Sequence, residues 1–129
     1  MDKSNLDLVN LKNCISTLKN CSKDYKAADS EIMKEYIADA CIKRYEYTVE
    51  TAWKTMKKFL KWEYGKKDEE LTMNNIFRFM EKWREYYDRR NDTSHEYNQV
   101  KALVILGMVD NLVEDCEFLY KKLQDKMEK

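Results

Sequence analysis

The fold is indicated first by residues 31–64, EIMKEYIADACIKRYEYTVETAWKTMKKFLKWEY. Apolar side chains recur there every three or four residues, the spacing of one helix face: Ile37, Cys41, Tyr45, Ala52, Met56 and Phe59. A stripe widened by Tyr36, Ala40 and Leu60 predicts a helix that contacts more than one neighbour. The helix is long, so a break near Tyr47–Thr51 is an alternative, and Gly65 supplies a stop.

Three further apolar stripes flank this helix. The first predicts a helix from about Ser4 to Ala27, after which Asp29 or Ser30 can cap the next helix. The third predicts a helix that Thr72 caps and that fades near residue 89 or 90. Short loops between consecutive helices make antiparallel neighbours. The sequence therefore predicts an all-α, up-and-down four-helix bundle, with residues 1–129 forming a single domain.

The fourth helix has the clearest start signal. Thr93-Ser94-His95-Glu96 has the pattern of a capping box, in which Thr93 caps the helix and Glu96 reaches back from the third position. An apolar stripe then continues to Leu123. This pattern predicts that His95 lies in the first turn of the last helix.

Composition supports helices and limits the classes of function. The 129 residues include no proline and two glycines, fewer turn residues than a sheet-rich domain of this size normally needs. Basic and acidic side chains number 24 each, so the chain as a whole lacks the excess positive charge of a nonspecific nucleic-acid binder. A local exception runs from Lys43 to Lys67, with eight basic and three acidic residues. It indicates either a solvated helix face or a nucleic-acid surface.

Cysteine usage and hydropathy indicate a cytoplasmic protein. Cys14, Cys21, Cys41 and Cys116 have no metal-knuckle or redox spacing, so buried free thiols are expected. The first ten residues, MDKSNLDLVN, contain no apolar signal core. No apolar run approaches transmembrane length. We therefore expect no membrane association and a reducing cytoplasmic setting.

The chemistry-bearing residues cluster around the single histidine, in Arg90-Asn91-Asp92-Thr93-Ser94-His95-Glu96-Tyr97. Arginine can bind a phosphate with two parallel hydrogen bonds. A helix N-terminus attracts anions and favours a neutral imidazole. This combination suits phosphodiester cleavage, with Arg90 as the anion clamp and His95 as the base. The alternative is a structural loop in which Arg90 pairs with Asp92 or Glu96 and His95 is merely exposed.

A single histidine also has a consequence for assembly. Cleavage by a 2′-hydroxyl needs a base and an acid, and a symmetric dimer supplies two imidazoles where a monomer supplies one. One histidine cannot build a histidine-rich metal site, and Glu46 and Glu50 are interpreted as solvated acids of a charged helix. No metal and no cofactor are expected.

Two segments resemble a known family. Arg90-Asn91-(any three)-His95-(any one)-Tyr97 is similar to the arginine–x4–histidine–x–tyrosine motif of HEPN-domain proteins. The segment from Arg44 to Met56, RYEYTVETAWKTM, resembles a helix of the nucleotidyltransferase substrate-binding branch of those proteins. The resemblance covers about Leu6 to Leu123.

The resemblance implies a homodimer that pairs with a minimal nucleotidyltransferase encoded nearby. It implies a metal-independent endoribonuclease toxin acting on RNA, with the transferase as antitoxin. Arg90 and His95 would be catalytic, Asn91 would steady Arg90, and Tyr97 would accept AMP from the transferase. For Tyr97 the alternative is a half-buried packing residue. For the whole protein the alternative is a non-catalytic accessory subunit that helps the transferase bind its substrate.

Overall fold

The computed structural model describes residues 8–65, 67, 81–95 and 99–127, except for the side chains of 81–82, 91–95 and 99–101. These residues form helices and no strands. Helix α1 spans Val9–Ala27, α2 Glu31–Tyr64, α3 Glu81–His95 and α4 Gln99–Met127. The predicted all-α helical bundle is confirmed. The predicted cap at Thr72 lies outside the described residues.

The longest helix, α2, is the centre of the bundle and packs against α1, α3 and α4. It is continuous, so the alternative of a break near residues 47–51 is wrong. At its start, the Ser30 hydroxyl accepts a hydrogen bond from the Met33 amide at 3.2 Å, as an N-cap should. At its end, Gly65 adopts a left-handed conformation (φ 62°) and donates its amide to the Lys61 carbonyl. Both predicted helix ends of α2 are confirmed.

The core is built in part from the predicted apolar stripes, although Tyr36 and Ala40, which were placed in the α2 stripe, are exposed. All four helices contribute fully buried or nearly buried side chains, among them Leu11, Leu18, Tyr45, Val49, Tyr86, Ile105 and Leu112. Burying each large apolar side chain contributes about 1.5–3 kcal/mol relative to leaving it in water. This cluster fixes the relative positions of α2, α3 and α4, which carry the candidate site.

The four cysteines are free thiols, as predicted. Cys14, Cys41 and Cys116 are buried and Cys21 is half-buried. Burial raises the pKa of the Cys41 thiol to about 12, so this group is a neutral core side chain at physiological pH.

The boundary between the last two helices differs from the prediction. Helix α3 continues through Thr93 and Ser94 and ends at His95, and α4 begins at Gln99. The predictions that the third helix fades near residue 89 or 90, and that Thr93 caps the last helix with His95 in its first turn, are therefore wrong. Extending an existing helix adds one backbone hydrogen bond per residue, whereas a new helix needs a costly nucleus. This advantage outweighs the local capping pattern of Thr93.

Candidate functional site

Arg90 joins α3 to α2 through an ion pair with Glu50. Its Nη2 atom lies 3.7 Å from Glu50 Oε2, and 24% of the arginine side chain is exposed. The Nε atom of Arg90 is buried, so the guanidinium sits against the bundle with its outer part facing solvent. The N–O distance is that of an ion pair and exceeds that of a good hydrogen bond.

Helix α3 is held in register by a chain of polar contacts one turn before Arg90. The Tyr45 hydroxyl on α2 donates to the Tyr86 carbonyl at 2.9 Å. The Tyr86 hydroxyl donates to the Asp115 carboxylate on α4. The rings of Tyr45 and Tyr86 meet edge to face at 6.4 Å, and Trp83 packs against Tyr86 in the same way at 5.4 Å. These contacts fix the position of the helix turn that carries Arg90.

Burial adds to the rigidity of this polar chain. Burial is the main reason why the pKa values of Tyr45 and Tyr86 lie above the ordinary tyrosine value. Both hydroxyls therefore stay protonated and keep donating across the whole neutral range. The two tyrosines position Arg90 and are themselves in the core, at 0% and 3% exposure.

Sequence reasoning missed the role of Glu50. It was interpreted as a solvated acid, yet its side chain is 38% exposed and its carboxylate lies between two cations. One oxygen faces Arg90, and the other lies 3.4 Å from Lys54 Nζ on the next turn of α2. The i to i+4 spacing of Glu50 and Lys54 was visible in the sequence. The pairing with Arg90 depends on how α2 and α3 pack, and no local pattern reports that.

The predicted pairing of Arg90 with Asp92 or Glu96 is not tested, because those side chains lie outside the described residues. The same holds for the side chains of Asn91 and His95, whose backbones belong to the last turns of α3. Arg90 and His95 are five residues apart on one helix, about 7.5 Å along its axis. Tyr97 lies outside the described residues.

The helix boundary changes the electrostatics expected at His95. A helix C-terminus carries a partial negative charge that favours cations, the opposite of the N-terminus predicted from the capping box. His95 is therefore not at a helix N-terminus, where the capping pattern predicted it. The described cations on this part of α3 are the side chains of Arg89 and Arg90.

Metal ligands are not grouped in the described part of the chain. Within it, no three His, Cys, Asp or Glu side chains lie close enough together to hold a metal ion. Glu46 is the second acid that the sequence singled out as a possible metal ligand. Its carboxylate lies 4.0 Å from Lys43 Nζ and forms an ion pair with it.

None of the helices described is both long enough and apolar enough to cross a membrane.

Comparison with known proteins identifies the family. Residues 6–125 match the family described as nucleotidyltransferase substrate binding protein like, which is nearly the whole chain. The chain belongs to this family. A curated relative, the probable ribonuclease HepT of Haemophilus influenzae, is 29% identical over 106 residues, covering 74% of this chain and 73% of the relative. No solved structure matches significantly.

The family assignment confirms the resemblance seen in the sequence, to HEPN-domain proteins of the nucleotidyltransferase substrate-binding branch. Within this family member, the helix that carried the resemblance is α2, and the arginine of the motif is the one that Glu50 holds. The two segments quoted for the resemblance thus meet in the fold.

Proposed function

We propose that this protein is a metal-independent endoribonuclease with Arg90 and His95 as its catalytic residues. The observation that carries the proposal is the Arg90–Glu50 pair, which holds a half-buried guanidinium on the helix that ends at His95. Membership of a family with a relative named as a probable ribonuclease supports the same reaction.

The reaction proposed is cleavage by the 2′-hydroxyl of the RNA. Its oxygen attacks the adjacent phosphorus, the bond from phosphorus to the 5′-oxygen breaks, and a 2′,3′-cyclic phosphate remains. Arg90 stabilises the charge on the phosphoryl oxygens, as a fixed guanidinium can. An imidazole takes the proton of the 2′-hydroxyl, and a protonated group gives one to the departing 5′-oxygen. Asn91 follows Arg90 directly and is proposed to steady it.

The need for both a base and an acid favours a symmetric homodimer as the active form. Each chain has one histidine, so two copies of the motif supply two imidazoles. Leu103, in the second turn of α4, is 58% exposed and provides apolar surface near the end of α4 that follows the motif. Replacing Leu103 with lysine is expected to weaken the dimer, as measured by light scattering on a sizing column.

Regulation is proposed to come from a minimal nucleotidyltransferase encoded nearby, acting as antitoxin. The family description supports an association with such an enzyme. Transfer of AMP to the Tyr97 hydroxyl, with release of pyrophosphate from ATP, adds a phosphate that competes with RNA phosphate for Arg90. Intact-mass measurement after incubation with the transferase, ATP and magnesium should show AMP on the wild type and none on Tyr97→Phe.

The second candidate function is a non-catalytic subunit that helps the transferase bind its substrate. The wording of the family description favours it. Expression in cells separates the two candidates. The nuclease should arrest growth, His95→Ala should not, and co-expression of the transferase should restore growth. Normal growth with the wild-type protein at equal abundance would favour the accessory subunit.

A further inference from the structure

A groove of ≈ 450 Å³ runs along α2, with Asn10 of α1 also lining it, and starts beside the candidate site. Its lining includes four lysines, one acid and one exposed tyrosine of this helix: Lys54, Lys57, Lys58, Lys61, Glu50 and Tyr47. These positions recur every three or four residues, so they form one face of α2. We call this surface the lysine groove.

The lysine groove is strongly positive within a chain of zero net charge. The charged residues that line it are the four lysines and Glu50, which leaves three positive charges in excess. Lys54 and Lys58 are exposed and Lys57 and Lys61 are half-buried. Lys57 Nζ lies 5.6 Å from the centre of the Trp53 ring, so its ammonium is held against the helix surface. The local basic segment seen in the sequence is therefore a concave surface as well as a charged one.

Glu50 connects this groove to the candidate site. Its carboxylate lies 3.4 Å from Lys54 in the groove and 3.7 Å from Arg90 on α3. From Glu50 to Lys61 the helix rises about 16 Å, which extends the row of cations well beyond one phosphate. If one phosphate of a polyanion lay at Arg90, its neighbouring phosphates would lie beside the lysines.

An exposed aromatic ring suggests the nature of the occupant. Tyr47 exposes 55% of its surface and lines the same groove as the lysines. Surfaces that bind single-stranded nucleic acid combine a positive groove with aromatic rings on which bases stack. RNA is favoured over an acidic protein surface because Glu50 joins the groove to Arg90, the arginine proposed to bind RNA phosphate.

We propose that the lysine groove binds single-stranded RNA, with phosphates on Lys58 and Lys61 and a base stacked on Tyr47, and delivers the strand to Arg90. This inference rests on the proposed ribonuclease function for its substrate. The inference goes beyond that function by stating where the RNA strand lies on the protein surface, which the motif around His95 does not specify.

The test measures RNA binding separately from cleavage. The probe is a 5′-fluorescein 12-nucleotide RNA of mixed sequence, followed by anisotropy on full-length protein carrying His95→Ala. The groove variant is Lys58→Gln with Lys61→Gln, which leaves the Lys54–Glu50–Arg90 contacts in place. The matched control is Lys23→Gln with Lys121→Gln, which removes the same charge from exposed positions on α1 and α4.

The groove variant should bind about 20-fold more weakly at 0.1 M salt, and the magnitude of its salt slope should fall by about 1.4, which is two single-strand phosphate contacts. The control variant should bind as the parent does. Equal weakening of both variants, or of neither, would overturn the inference. Weaker binding to the transferase with unchanged RNA binding would also overturn it, since the groove would then dock a protein.

Tyr47 provides a second, uncharged readout. Tyr47→Ala should weaken RNA binding about tenfold with an unchanged salt slope, whereas Tyr47→Phe should bind normally because stacking needs only the ring. Tyr36→Ala, which removes another exposed tyrosine of α2, is the control. Normal RNA binding by Tyr47→Ala would show that no base stacks on Tyr47, which contradicts that part of the inference.

The two proposals fail in different ways. If wild-type protein binds RNA through the groove but never cleaves it, the ribonuclease proposal fails and the groove remains an RNA surface. If wild-type protein cleaves RNA and the groove variant binds and cleaves equally well, the ribonuclease proposal stands and the groove inference fails.

Discussion

The Arg90 guanidinium on α3 lies 3.7 Å from the Glu50 carboxylate on α2, and both side chains are partly exposed. An ion pair this exposed contributes at most about 1 kcal/mol to folding. In the proposed mechanism its larger consequence is geometric, because it restricts where Arg90 would meet a phosphate. The same carboxylate also places a negative charge beside that phosphate, so Glu50 should affect binding and turnover in opposite directions.

Replacing Glu50 with glutamine tests these opposite effects on RNA binding and on turnover. The amide keeps the shape of the side chain and removes its charge, so RNA should bind a few-fold more tightly while the guanidinium is held less firmly. We expect KM to fall and kcat to fall about tenfold, read from single-turnover and steady-state cleavage of a fluorescent RNA. Glu63→Gln, an exposed acid at the far end of α2, is the control. A kcat equal to that of the wild type would show that Glu50 does not position Arg90.

The hydrogen bond from Tyr86 to Asp115 should matter for stability. Tyr86→Phe leaves a partly buried carboxylate without this donor, which should lower the free energy of unfolding by about 1–3 kcal/mol. Urea unfolding followed by circular dichroism measures the change. Tyr36→Phe, at a tyrosine that is 68% exposed, should stay within about 0.5 kcal/mol of the wild type. Equal stability of the two variants would contradict the role given to Tyr86.

Stability should also depend on pH through Asp110. Its pKa is lowered by hydrogen bonds from Lys26 and then Ser22, which join α4 to α1. A carboxyl whose pKa is lowered on folding stabilises the protein above its unfolded pKa of about 4, and this contribution is lost as the pH falls through the folded value. Because the pair is exposed, the contribution is below about 1 kcal/mol.

Asp110→Asn should therefore be less stable than the wild type at pH 7, and the difference should shrink at pH 3 and in 1 M salt. Urea titrations at the two pH values measure it. Asp125→Asn, at an exposed position near the end of α4, serves as the control. A difference that grows on acidification would have the wrong sign for a carboxyl with a lowered pKa.

Much of the fold was predictable because its signals are local and repeated. The stripe through Cys41, Tyr45, Ala52 and Met56 is buried as predicted, and Gly65 ends α2 as a left-handed cap. A periodic pattern is the sum of many residues, so one atypical residue does not change the predicted helix. The capping pattern at Thr93 failed because it is a short signal competing with a helix already under way.

The candidate site was predictable only in part. Arg90 and His95 were proposed from a motif, but the ion-pair partner of Arg90 comes from another helix, 40 positions earlier in the chain. The lysine groove was visible only as a run of charge between Lys43 and Lys67, for which a solvated helix face was the other interpretation. Its concave shape, and the pairing of Glu50 with Arg90 at its end, follow from packing, which composition does not specify.

RNA cleavage by purified protein in EDTA tests the central claim most directly. The wild type, incubated with a labelled RNA in excess EDTA, should cleave it to products ending in 2′,3′-cyclic phosphate. Arg90→Ala and His95→Ala, purified in the same way, should each lose about 100-fold or more in rate. Cleavage that EDTA abolishes, or that persists at the wild-type rate in His95→Ala, would contradict the proposed site and mechanism.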